Sequence, residues 1–152
     1  MDWNSLINGF RQYISLEKGL SNHTRLAYVS DLRKLEWYFN EQELKLSPID
    51  LKPQNVIDFI IYLNSLGIGE RSQARMLSSI RAFFKYLLIE DLIKVEPTEL
   101  IQGPKLPITY PEVLSVEEVE NFLSVIDLSD PHGHRNRAMF ETLYACGLRV
   151  SE

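Results

Sequence analysis

The chain has 152 residues, 45% of them hydrophobic, 24% charged and 11% aromatic, which is enough for one complete core, or for one small domain plus a fragment of another, and argues against a disordered polypeptide. No apolar run approaches the ~18 residues of a membrane span, and Met1-Asp2-Trp3-Asn4-Ser5 lacks the basic and apolar regions of a secretory signal, so a cytoplasmic setting without membrane contact is expected. The net charge of −5, taken alone, argues against a nucleic-acid partner, although its distribution matters more than the total, and a single cysteine, Cys146, excludes an internal disulfide.

Four helices are predicted over the first ~100 residues from apolar periodicity. The first carries Trp3, Leu6, Ile7, Phe10, Tyr13 and Ile14 inward and ends at Gly19. Ser21 or Asn22 caps the second, whose stripe is Tyr28, Leu32, Leu35 and Phe39. After a loop with Pro48, Pro53 suits the first turn of the third, with Val56, Phe59, Ile60 and Leu63 inward. Gly67-Ile68-Gly69 breaks it, and the fourth spans about Ser72 to Leu88 with Leu77, Ile80, Phe84 and Leu88 inward. No strand pattern occurs before residue 100, so these helices predict a compact bundle.

A connector marked by Pro97, Gly103, Pro104, Pro107 and Pro111 reads as extended chain. Ser115-Val116-Glu117-Glu118 then forms a capping box ahead of a fifth helix with Val119, Phe122, Leu123 and Ile126 on its apolar face. A sixth runs from about Arg135 to Ala145 with Met139, Phe140 and Leu143, and Gly147 is its expected terminator. The apolar faces of these two helices have too few partners within the sequence, which predicts a domain that continues beyond Glu152.

Charge is unevenly distributed. Leu106 to His134 contains no Lys or Arg but holds Glu112, Glu117, Glu118, Glu120, Asp127 and Asp130. Arg71 to Lys85 is the reverse, with Arg71, Arg75, Arg81 and Lys85 and no acid. At about 100° per residue, Arg71, Arg75, Ser78, Ala82 and Lys85 share one face of the fourth helix, opposite its apolar stripe. Cations separated by small residues suit a helix lying against a duplex and reaching phosphate oxygens; a solvated polar face is the alternative at this point. The start of the second helix, with Asn22, Thr24 and Arg25, offers donors and backbone amides suited to a phosphate, or simply a cap. His132 and His134 flank Gly133, but no third ligand has suitable spacing, so no metal is expected.

Two stretches carry a family resemblance: Gly19-Leu20-Ser21-Asn22-His23-Thr24-Arg25-Leu26-Ala27-Tyr28 through Asp31-Leu32, and Arg75-Met76-Leu77-Ser78-Ser79-Ile80-Arg81-Ala82-Phe83-Phe84-Lys85-Tyr86-Leu87. They resemble the core-binding domain of the Xer-type tyrosine recombinases, within the phage integrase family. The segment from Arg135 to Glu152 resembles the opening of that family's catalytic domain. The resemblance implies an all-α fold: a SAM-like four-helix core-binding domain over 1–102, a linker over 103–113, and the first two catalytic-domain helices over 114–152.

It further implies a DNA clamp that assembles two recombination sites into a tetrameric synapse with the same or a paralogous recombinase. A tyrosine attacks the scissile phosphate to give a 3′-phosphotyrosyl bond, and a 5′-hydroxyl of the partner strand reverses it, with no cofactor and no metal. Chromosome-dimer resolution is the implied role and a DNA translocase the implied activator. Carried over by position, Arg149 is the first catalytic arginine and would stabilise charge on the phosphate in the transition state; Glu152 is the supporting acid. The DNA-binding residues are Asn22, Thr24, Arg25, Arg71, Ser72, Arg75, Ser78, Arg81 and Lys85. Cys146 departs from the family's usual Thr or Ser and is expected as a small packing substitution. None of the tyrosines lies in the nucleophile's context; Tyr28 and Tyr144 read as core. The chain is therefore expected to bind DNA without cleaving it. The competing readings are a stand-alone DNA-binding module and a helical protein–protein interaction domain.

Overall fold

The computed structural model describes residues 2–107 and 110–151. Among the described residues the regular structure is six α-helices and one short 3-10 helix, Pro48–Asp50, with no strand. They fall into two compact units, 2–107 and 110–151.

The first unit holds α1 (Trp3–Leu16), α2 (Asn22–Glu41), α3 (Pro53–Ser65) and α4 (Glu70–Ile89). Each start has a local cause. Asp2 accepts from the Ser5 amide at 3.0 Å, and Ser21 accepts from the Thr24 amide at 3.3 Å. Pro53 occupies the first turn of α3, where its missing N–H costs nothing. Gly19 and Gly67 take positive φ at 57° and 71°, the left-handed conformation that turns the chain out of α1 and α3.

α1, α2 and α3 all pack on α4. The core is rich in aromatic rings: Phe10, Phe39, Phe59, Phe83 and Phe84 are fully buried with Ile7, Ile14, Leu32, Leu35, Leu77, Ile80 and Leu87. Phe83 is the hub. Phe10 meets it edge-on at 5.5 Å between centroids, and Trp3 stacks beside it at 6.5 Å. The Trp3 indole N–H, which would otherwise be stranded at the core's edge, donates to the Leu46 carbonyl at 2.9 Å.

Two details of the predicted stripes are corrected. Leu88 is 42% exposed, because the buried face of α4 runs through Met76, Leu77, Ile80, Phe83, Phe84 and Leu87, and Leu88 lies outside that arc. α4 also begins at Glu70, two residues before the predicted start. Beyond α4, the chain from Pro97 is folded back on the bundle. Thr98 is fully buried, Ile101 packs on the core, and Gly103 backs onto Leu77, with room for an added Cβ only 3.4 Å from Leu77 Cδ2.

The second unit contains α5 (Val116–Ser124) and α6 (Gly133–Cys146). The capping box at its start is formed: Glu118 N–H donates to Ser115 Oγ at 3.2 Å, and the Ser115 amide donates to the Glu118 carboxylate at 2.7 Å. α6 starts at Gly133, where a Cβ would lie 2.0 Å from the Asp127 carbonyl oxygen, and ends at Gly147 with φ 62°. Phe122 and Phe140 meet edge-on at 5.1 Å, and Val119 is buried. Two short helices bury little beyond their seam. Tyr144, read from sequence as core, is 55% exposed, and Met139, Leu148 and Val150 are exposed as well. Cys146, expected to pack, is also exposed.

Candidate nucleic-acid interface

α4 is pinned by its apolar arc to three other helices, so its opposite face is fixed outward. That face carries the predicted cations. Arg71, Arg75, Ser78 and Lys85 are exposed, and Ala82 is half-buried between them. Lys85 has no hydrogen-bond or ion partner among the described residues, which leaves its ammonium available to solvent or a ligand. Ser78 Oγ donates back to the Ala74 carbonyl at 3.0 Å, which leaves the hydroxyl oxygen outward as an acceptor only. Ser72 is exposed in the first turn.

Arg75 and Arg81 belong to the same run but are tied into the fold. Arg75 Nη1 donates to Asp31 Oδ2 of α2 at 2.5 Å, while its side chain stays 43% exposed. Ser79 Oγ reaches the same carboxylate oxygen at 2.8 Å. Arg81 Nη2 donates to the Ile101 carbonyl and holds the post-bundle segment against α4. The sequence grouped the four cations together. In the structure Lys85 is presented outward, Arg75 bridges α4 to α2, and Arg81 bridges α4 to the segment beyond it.

The start of α2 forms a second positive region. Arg25 Nη1 donates to Ser15 Oγ of α1, and its Nε is buried without a partner among the described residues. Arg25 lines a cleft of about 590 Å³ between α1 and α2 together with Arg11, Gln12, Asn22 and Leu26; no acid lines it. Thr24 Oγ1 is bonded to Ser21 Oγ at 2.9 Å, so Thr24 takes part in the cap itself, while Asn22 is exposed at the first helical position.

Arg149 sits in the second unit, on the exposed turn after Gly147. Glu152 lies outside the described residues. Among the described residues no group of three His, Cys, Asp or Glu side chains is placed to hold a metal ion, and no helix is long and apolar enough to cross a membrane.

Residues 7–91, which take in most of α1 and all of α2 to α4, match the family described as phage integrase, N-terminal SAM-like domain. The chain belongs to that family. It is 42% identical over 147 residues to tyrosine recombinase XerD of Pseudomonas putida, a match covering 97% of this chain and 49% of that protein. Similarity of the same order extends to tyrosine recombinase XerD of Listeria innocua, at 38% over 149 residues (98% of this chain, 50% of that protein). The XerD of Staphylococcus epidermidis is 39% identical over 150 residues, with the same two shares. The chain spans about half the length of the curated relatives it matches.

Three side chains of this region escaped the sequence reading: Asp31, Ser79 and Arg11. Asp31 left a signal. It falls three residues after Tyr28 and four before Leu35, on the inward side of α2, where an acid needs a partner. Arg11 left none, because only the packing of α1 on α2 brings it beside Arg25.

Proposed function

We propose that this chain is the duplex-binding part of a XerD-like site-specific tyrosine recombinase, and that it binds DNA without cutting it. The observation that carries the reading is the outward face of α4. It is an acid-free run from Arg71 to Lys85 in a chain of net charge −5, held rigid by the core behind it. Lys85 and Arg71 reach phosphate oxygens, and Arg75 is placed for a phosphate or a guanine edge. The cleft beside the α2 start, with Arg25, Arg11 and Asn22, takes an adjacent phosphate, while Thr24 serves the cap. Ser72 and Ser78 allow close approach of the helix to the backbone.

The domain division that goes with this reading is a core-binding domain followed by the opening of a catalytic domain. Arg149 belongs to the recombinase active site and acts there only with residues this chain does not supply, the nucleophilic tyrosine among them. Strand exchange in a tetrameric synapse, chromosome-dimer resolution, activation by a DNA translocase and a cytoplasmic setting belong to the whole recombinase. Identity to three XerD proteins along nearly the whole chain supports them.

The test is fluorescence anisotropy of the chain on a Xer-type recombination-site duplex and on a scrambled duplex, across a salt series. Site-preferring binding that weakens steeply with salt is expected. Absence of binding to either duplex at low salt favours the helical interaction-domain reading. A nicked suicide substrate checks the chemistry: a covalent protein–DNA adduct formed by this chain alone overturns the claim that it binds without cleaving.

A further inference from the structure

We propose that Asp31 is a positioning residue for DNA binding: it acts through Arg75, aiming the guanidinium of α4 at the duplex. This rests on the interface reading above and deepens it.

Asp31 is fully buried on α2, between two apolar neighbours of its own stripe, yet it is a carboxylate. Its Oδ2 accepts from Arg75 Nη1 at 2.5 Å and from Ser79 Oγ at 2.8 Å, while Oδ1 is buried without a partner among the described residues. As a stability device this is poor. A buried ion pair loses much of its Coulomb gain to desolvation, and an unpaired carboxylate oxygen adds to the cost. As an aiming device it is well built. Asp31 grips one end of a planar fork, and Ser79, one turn along α4 from Arg75, fixes the gripping oxygen. The rest of the guanidinium remains outside: the side chain is 43% exposed, on the same face as Arg71 and Lys85. A long flexible cation held this way has less rotamer freedom left to lose on meeting a phosphate or base edge.

The alternative is that Asp31 neutralises Arg75 and removes it from the interface. The two ideas predict opposite signs. Asp31→Asn deletes a negative charge beneath a cationic face, so electrostatics alone tightens DNA binding. Loss of positioning weakens it. Asn is isosteric, and its carbonyl oxygen can still accept from Ser79, so the bundle stays intact.

The experiment is anisotropy on the recombination-site duplex with the unaltered chain, Asp31→Asn, Arg75→Ala, the double variant and Ser79→Ala, with a thermal melt of each. Asp31→Asn is expected to weaken binding roughly five- to tenfold, the scale of coupling between neighbouring groups. Ser79→Ala is expected to weaken it less, and the double variant to bind like Arg75→Ala. Unchanged or tighter binding by Asp31→Asn overturns the proposal, and that arm decides alone if Arg75→Ala does not fold. A double variant weaker than Arg75→Ala by the full Asp31→Asn factor overturns it too, since Asp31 then acts elsewhere. If the unaltered chain shows no salt-dependent binding, the interface reading itself fails and takes this one with it.

Discussion

Removing one cation from α4 has consequences that depend on which cation it is, and the difference follows from the fold. Lys85→Ala deletes an exposed ammonium with no partner among the described residues, so stability should move by no more than about 0.5 kcal/mol. Arg75→Ala leaves the fully buried Asp31 carboxylate with only Ser79 as donor. Breaking a fully buried pair costs about 3–5 kcal/mol, and stranding one buried acceptor about 1–3. Arg75 is 43% exposed on its side chain, so water can enter the vacated space, and about 2–3 kcal/mol is the expected loss. For a unit of this size that lowers Tm by roughly 10–20 °C. Adding Asp31→Asn should recover about half the loss, because the stranded group is then neutral. Circular-dichroism melts of the four proteins decide it. If Arg75→Ala melts together with Lys85→Ala, the α2–α4 bridge contributes nothing and the reasoning is wrong.

Phe84→Ala removes a fully buried ring and should cost about 3–5 kcal/mol, seen as an earlier urea midpoint with an unchanged slope. Gly9→Ala places a Cβ 2.3 Å from Tyr86 Oη, so it should destabilise by about 1–2 kcal/mol despite the better helix propensity of Ala. In a Tyr86→Phe background the same change should be neutral or favourable, since the next ring atom lies at 3.4 Å, and a double-mutant cycle of melts measures the coupling. Hydrogen bonds from the Ser115 backbone amide hold the Glu118 carboxyl below its ordinary value. A lowered folded value means the cap's contribution is present above the ordinary glutamate range and is lost as pH falls through the lowered value. An NMR titration should therefore show the Ser115 amide resonance moving at acid pH. Glu118→Gln should abolish that movement; an identical movement in the variant would remove Glu118 as its cause.

Many of the helices in both units were legible in the sequence because their determinants are local. Apolar spacing marks α1 to α4, Ser21 and Ser115 announce their caps, and Gly147 its helix end. The cationic run on α4 was legible too, since face membership on a helix follows from spacing alone. What sequence could not assign is each cation's partner. Arg75 and Lys85 share a face, yet only the approach of α2 puts a buried carboxylate beside one of them, across 44 residues of chain. Arg81 became a tie to Ile101 because the segment after Pro97 folds back on the bundle, which a proline-marked stretch does not reveal. Leu88 and Tyr144 failed as core residues for a related reason. Periodicity states which side of a helix is apolar, but burial needs a second surface, and only the tertiary packing determines whether one is there. Composition, caps and periodicity fixed the helices and the outward run of charge; the meeting of α2 with α4 decided which of those charges stay available to a ligand, because pairing acts through space and not along the chain.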